Sequence, residues 1–304
     1  MKDPAAMKKI LVGVDLSEAS EVAIAHAVAM GRHTGAEVVL ALATWVPEPP
    51  VDYERSLWPT YEAYAEQARR GLATEHAQLT ALAARYEGQG ARISKSIADG
   101  RADDVLPSLA EELDADLLVV GTHGRTGLSR ALLGSVAERV VRTAHTSVYV
   151  ARGPAPAAGF KRVVVGTDFE PLARTALRAG AAFAADDGQL DLVSCLRMVP
   201  VVPMGEIGAT FDPALLRSEI EADLGARGAA ALAEIARPGL RTSFAVVDEV
   251  PKWGVVEHAK AVAADLVVVG SHGRRGLRRW ILGSVAEATV RHAECSVLVA
   301  RAAT

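Results

Sequence analysis

Asp116–Arg152 reads DLLVVGTHGRTGLSRALLGSVAERVVRTAHTSVYVAR, and Asp265–Arg301 reads DLVVVGSHGRRGLRRWILGSVAEATVRHAECSVLVAR; the two match at 25 of 37 positions without a gap. Such self-similarity within one chain means that a whole unit is duplicated. The starts of the two halves agree as well: Lys9–Asp15 (KILVGVD) parallels Arg162–Asp168 (RVVVGTD), each a short β-branched run that ends at an aspartate. Between the copies lies Gly153–Gly159 (GPAPAAG), an uncharged Pro, Gly and Ala segment suited to a semi-stiff connection. The expected organisation is a first domain over 1–152, a linker over 153–160 and a second domain over 161–304.

Apolar runs at Ile10–Val14, Val38–Trp45, Ile93–Ala98, Leu117–Val120 and Ser147–Ala151 read as buried strands. Helical segments separate them. Ser17 is placed to cap a helix through Met30, Tyr61–Tyr86 is rich in Ala, Glu, Gln and Arg, and Val105, Leu109 and Leu113 recur every four residues. Pro107 counts against extending that third helix far upstream, because an interior proline costs about 3 kcal/mol. The second half repeats the order, with strands near Val163–Gly166, Leu190–Leu196, Ser243–Val247, Leu266–Val269 and Ser296–Ala300. Strand and helix alternation with nearly continuous apolar strands predicts two α/β domains, each a parallel sheet covered on both faces.

With 304 residues, the chain is long enough for two cores, and an apolar share of 50% with 23% charged residues is that of a globular protein. A net charge of -4 supplies no positive field for a nucleic acid polymer or an anionic membrane, so small ligands are expected. No apolar run approaches the ~18 residues of a membrane span, and Met1–Lys9 has no apolar stretch. Cys195 and Cys295 are too few for a disulfide framework. A cytoplasmic location is expected.

The repeated stretch carries Gly121, Gly124, Gly134 and Ser135, matched by Gly270, Gly273, Gly283 and Ser284, a G-x2-G-x9-G-S spacing in both copies. A strand ends at the first glycine and an apolar helix opens at the last Gly-Ser, so helix-start N–H groups are free to face an anion. Glycine also permits positive φ and close backbone approach. The spacing predicts a phosphate cradle, against the plainer reading that the glycines only make turns. No G-x4-G-K-[ST] occurs, which excludes a P-loop. The first strand-helix turn holds Gly13, Val14, Asp15, Leu16 and Ser17 where a dinucleotide fingerprint would need G-x-G-x-x-G, which disfavours NAD and FAD.

VGVDLSEAS near the start, DLLVVGTHGRTGLSRALLGSVAERV further on, and the doubled copy together resemble a tandem universal stress protein, over nearly the whole chain. The resemblance implies a Rossmann-like five-stranded sheet of order 3-2-1-4-5 in each domain, with a ligand at the carboxyl ends of strands one and four, the topological switch point. It further implies a stress-response protein that binds adenine nucleotide, ATP, as a regulatory module with at most slow hydrolysis. Mg2+ would come with the nucleotide. The aspartate after strand one and a small residue at the end of strand two would hold the adenosine, and the glycine motif the phosphates. On this chain these are Asp15, Ala43, Gly121, Gly124, Gly134 and Ser135, then Asp168, Cys195, Gly270, Gly273, Gly283 and Ser284. Ser17 joins the first set, whereas Glu170 stands in its place in the second and brings a carboxylate toward the phosphates. Arg275, Arg278 and Arg279 in the second loop are placed to offset that repulsion. Tighter binding is expected in the first domain. An ATP-dependent adenylating enzyme and a nucleotide-free scaffold are the alternatives.

Other residues carry plainer expectations. His123 and His272 read as loop residues, because no His or Cys lies at partner spacing. The two cysteines read as small buried thiols. Trp45, Tyr53, Trp58, Tyr61 and Tyr64 cluster around a proline-rich connection that either closes over a ligand or packs on its own domain. The strands Ser147–Ala151 and Ser296–Ala300 fall at sheet edges, and the resemblance implies that they pair into an intrachain pseudo-dimer, with a homodimer of chains as a further assembly.

Overall fold

The computed structural model describes residues 7–45, 58–122, 133–197, 213–271 and 282–302. The chain divides into two compact units between Ala157 and Ala158. In the first unit the elements run β1 (Lys9–Val14), α1 (Glu18–Thr34), β2 (Glu37–Thr44), α2 (Trp58–Tyr86), β3 (Arg92–Asp99), α3 (Ala102–Glu112), β4 (Leu117–Gly121), α4 (Ser135–Thr143) and β5 (Ser147–Ala151). The second unit repeats them as β6 (Phe160–Gly166), α5 (Pro171–Phe183), β7 (Ala184–Cys195), α6 (Pro213–Ala233), β8 (Arg241–Val247), α7 (Pro251–Ala261), β9 (Leu266–Gly270), α8 (Ser284–His292) and β10 (Ser296–Ala300).

The strands of the first unit lie in the order β3-β2-β1-β4-β5 and those of the second in the order β8-β7-β6-β9-β10. All pairs within each unit are parallel. This is the expected 3-2-1-4-5 order, twice. The chain winds outward from β1 to β3 and then crosses back to β4, so the carboxyl ends of β1 and β4 lie side by side at the topological switch point. The same holds for β6 and β9. Central strands read as unbroken apolar runs because both faces are covered: Leu117, Leu118 and Val119 of β4 and Leu266, Val267 and Val268 of β9 are fully buried. Each such side chain contributes about 1.5–3 kcal/mol by leaving water. The edge strand β3 instead alternates between half-buried and exposed positions.

Helix α1 starts where Ser17 accepts the Ser20 N–H at 3.3 Å, and it stops at Gly35, whose φ of 76° is the left-handed C-cap that glycine adopts freely. Two boundaries differ from the sequence reading. Helix α3 begins at Ala102, five residues ahead of Pro107, so the proline sits inside the helix. Its ring is buried, and the upstream turn is held by the Arg101 and Arg139 guanidinium groups on Asp103 at 3.3 and 3.2 Å. Strand β7 begins at Ala184, directly after α5, because Phe160 pairs with Ala184 before a register shift brings Arg162 opposite Gln189. Gly188 permits that irregularity: a Cβ there would stand 2.9 Å from the Ala185 carbonyl oxygen and 3.0 Å from that of Phe160. Among the described residues, no helix is long and apolar enough to cross a membrane.

Candidate functional site

In each unit the crevice is built from three turns. The first follows strand one. Asp15 folds back on its own turn, its Oδ1 accepting from the Ser17 N–H at 3.1 Å and from the Ser17 hydroxyl at 2.5 Å, while Leu16 between them has φ of 64°. Ser17 thereby orients the aspartate and caps α1 at once. In the second unit Asp168 Oδ1 accepts from the Glu170 N–H at 3.1 Å, and Phe169 has φ of 62°. There the Thr167 hydroxyl accepts from the Phe169 N–H at 2.9 Å, and Glu170 occupies the N-cap without a side-chain capping bond. A bulky residue in the left-handed region stores roughly 1–3 kcal/mol of strain, held in both copies by the aspartate's bond across the turn. The tight turn is thus part of how both carboxylates are aimed.

The second turn leaves strand four. Gly121 ends β4 and Gly270 ends β9. A Cβ on Gly121 would stand 2.6 Å from the Ala19 carbonyl oxygen, so this glycine is required for the first turn of α1 to lie against the strand end. The chain returns after the loop through a bond from the Gly134 N–H to the Thr122 carbonyl at 2.7 Å, matched by Gly283 N–H to the Ser271 carbonyl at 2.8 Å. The first and last glycines of the motif are drawn together in this way. Gly124 and Gly273, with His123, His272, Thr126, Ser129, Ala131, Arg275, Arg278 and Arg279, lie outside the described residues, as do 46–57 of the aromatic connection.

Gly134 and Gly283 are the N-caps of α4 and α8, with φ of -67° and -65°. Positive φ is therefore not what these two glycines supply. What they supply is a helix start without a capping side chain, and Ser135 and Ser284 stand exposed as the first helical residues. First-turn amides have no partner within a helix and carry its positive dipole end. The arrangement can receive an anionic group, adding about 0.3–2 kcal/mol.

The third turn follows strand three, beside the end of strand two. Ala43 is half-buried opposite Ala98, and Gly100, at φ of 128°, returns its N–H to the Thr44 carbonyl at 2.7 Å. Cys195 takes the equivalent place opposite Val247. Its sulfur fits because Gly254 of α7 lacks a side chain, since a Cβ there would come 2.6 Å from Cys195 Sγ. In the first unit Val105 fills that position, where it crowds the site of a Cβ on Gly100 to 2.9 Å. The set Ala43, Gly100 and Val105 is thus exchanged for Cys195, Glu249 and Gly254. Burial, then the nearby Glu249 carboxylate, pushes the Cys195 thiol up to about 11. Glu249 itself accepts from Arg197 at 2.7 Å and from the Val250 N–H at 2.6 Å, and these contacts hold its carboxyl below the usual range. Sequence reading missed Gly100, Glu249, Gly254 and the two left-handed residues; the D-[LF]-[SE] turn was its only trace of them.

The sequence profile of the Universal stress protein family matches residues 7–152 and again residues 159–301. A universal stress protein of Mycobacterium tuberculosis is 30% identical over 313 residues, covering 99% of both chains. Another, from Methanocaldococcus jannaschii, is 34% identical over 148 residues, 48% of this chain and 83% of the relative. Among solved structures, a universal stress protein from Archaeoglobus fulgidus superposes over 96% of both chains with a TM-score of 0.67 at 19% identity, a likeness of fold. Two matches in tandem over nearly the whole length, on two copies of one fold, make this chain a member of the universal stress protein family.

Proposed function

We propose that the chain is a regulatory binding module for adenine nucleotide, ATP, which it takes up at the carboxyl ends of β1 and β4 and, more weakly, of β6 and β9. The observation that carries this reading is the helix start at Gly134. A glycine N-cap leaves the amides of α4 without a side-chain cap, at the end of the strand beside the Asp15 turn. The residues fit a triphosphate: amide donors at Ser135 and beyond, a hydroxyl at Ser135, and Mg2+ brought by the nucleotide. Asp15 and Ala43 would hold the adenosine. The helix start alone is too weak, since micromolar affinity needs about 8 kcal/mol, so burial of the base and ribose supplies most of the binding.

The second unit is weaker by this reading because Glu170 replaces Ser17 and Cys195 with Glu249 replaces Ala43 with Gly100. Each residue named here binds or orients, and none is assigned a catalytic step beyond slow hydrolysis. The test is mass spectrometry of small molecules released from the freshly purified chain, followed by calorimetric titration with ATP. ATP in the released fraction and a tight site of one per chain are expected. Finding no released nucleotide and no heat on titration would refute the proposal.

A further inference from the structure

The second unit has a feature that duplication alone does not explain. Between α5 and α6 lies a groove of about 560 Å3, within the range of small-molecule sites, whose floor is Thr167 and Phe169 and whose walls carry Arg174, Arg178, Arg227 and Glu234. Three guanidinium groups and one carboxylate line it. Glu234 accepts Arg174 at 2.8 Å and stands 3.6 Å from Arg178, while Arg227 lies over the Phe169 ring at 4.5 Å and reaches Asp223 at 3.8 Å. The aromatic floor is built in depth. Phe169 meets Phe244 of β8 at 5.9 Å between centroids, and α6 lies so close over Phe244 that a Cβ on Gly228 would come within 2.4 Å of the ring.

The first unit has none of this set. Counting back from Arg92 and Arg241, which hold the same register on their sheets, Gly228 corresponds to Leu79, Ala231 to Leu82, Phe244 to Lys95 and Arg227 to Gln78. Leu79 and Leu82 are buried and fill the space that Gly228 and Ala231 leave. Phe169 corresponds to Leu16, and Arg178 to Ala25. Arg174 corresponds to Glu21, which pairs with Arg85, so the ion pair between these helices is reversed in sign between the copies. The second copy thus carries three arginines, an aromatic floor, the glycine that admits the Phe244 ring and the small Ala231 lining the groove, all on one face.

We infer that this groove is a second ligand site, on the α5–α6 side of the Thr167–Phe169 turn that it shares with the strand-end crevice, and that it takes a small phosphate monoester with an aromatic or apolar body. The dianion would face Arg174, Arg178 and Arg227, because planar guanidinium groups hold phosphate oxygens in pairs and Arg227 is already fixed on the ring. The organic body would cover Phe169, Leu177 and Ala231. Glu234 competes with the phosphate for two of the arginines and sets how tightly the site binds.

The test is calorimetric titration of the full chain with phenyl phosphate at pH 7.5, above its second pKa of about 6. Saturable binding is expected, weakened about tenfold or more in the Arg178→Ala, Arg227→Ala double variant and strengthened in Glu234→Gln. Inorganic phosphate should bind about tenfold more weakly or worse, for want of a body to cover the ring. Both arginines are at the surface, and far-ultraviolet circular dichroism should be unchanged in the double variant. Absence of saturable binding, equal affinity in the double variant, or inorganic phosphate binding as tightly as the ester would each overturn the assignment.

Discussion

Several glycines and one cysteine decide how the crevice is built, and each acts through the atoms it lacks or displaces. Gly121 is a packing residue: alanine there would push its Cβ to 2.6 Å from the Ala19 carbonyl oxygen and shift the start of α1. Gly121→Ala is expected to cost about 1–3 kcal/mol, read from urea unfolding, and an unchanged midpoint would contradict that role. Cys195 and Gly254 form an exchange pair. Gly254→Val alone should overpack against the sulfur by about 1–3 kcal/mol, whereas Cys195→Ala with Gly254→Val restores the first unit's pairing of Ala43 and Val105 and should recover most of the loss. Additive losses in that double-mutant cycle would show that the two positions do not share one space. Because the thiol is held up at about 11, alkylation of Cys195 at neutral pH should be much slower than that of a free cysteine.

At the level of elements, much of the fold was legible because the strands are apolar throughout and the motif is doubled, so β1, β2, β4 and β5 began and ended within a residue or so of the apolar runs. The rest needed partners distant in sequence. The apolar run places this strand near Leu190–Leu196, and only pairing with Phe160 makes Ala184–Gly188 (AADDG) the start of β7. Pro107 looks like a helix start, and only the Asp103 ion pairs and its own burial show why the helix runs past it. In the site, the glycine-led helix start at Gly134 is expected from the motif spacing and Asp15 only from the family resemblance, while the exchange of Val105 for Gly254 joins residues on different elements and leaves no local signal. A further contact of this kind ties α1 to the end of β5. Buried Tyr149 donates its hydroxyl to His26 Nδ1 at 2.8 Å, and His26 Nε2 donates to the Gly153 carbonyl at 3.2 Å, an assignment that requires a neutral ring. Burial holds the His26 imidazole below its ordinary range, with the Gly153 carbonyl opposing. Unfolded, the ring takes a proton near pH 6.5; folded, it does so only at lower pH, so the unfolded state binds more protons between those values. This contribution is therefore complete above about pH 6.5 and lost as pH falls toward the folded value. Urea unfolding at pH 7.5 and 5.5 should show a larger drop for the wild type than for His26→Gln, and equal drops would remove His26 from the account.

The molecule as a whole is one scaffold used twice and altered in different places. Both crevices keep the aspartate turn and the glycine-capped helix, whereas the strand-two wall and the α5–α6 face of the second unit have changed their chemistry. Such a plan predicts unequal sites, with a Gly134→Asp change affecting tight binding and a Gly283→Asp change having less effect. Aspartate at either N-cap would cap the helix, leaving stability within a few tenths of a kcal/mol or slightly higher, while filling the amides with a carboxylate that repels phosphate. Titration of ATP into the full chain, wild type against Gly134→Asp, separates these two effects. An affinity loss of about tenfold or more with an undiminished melting temperature is expected; ATP bound as tightly by the variant as by the wild type would rule out the α4 helix start as the phosphate site.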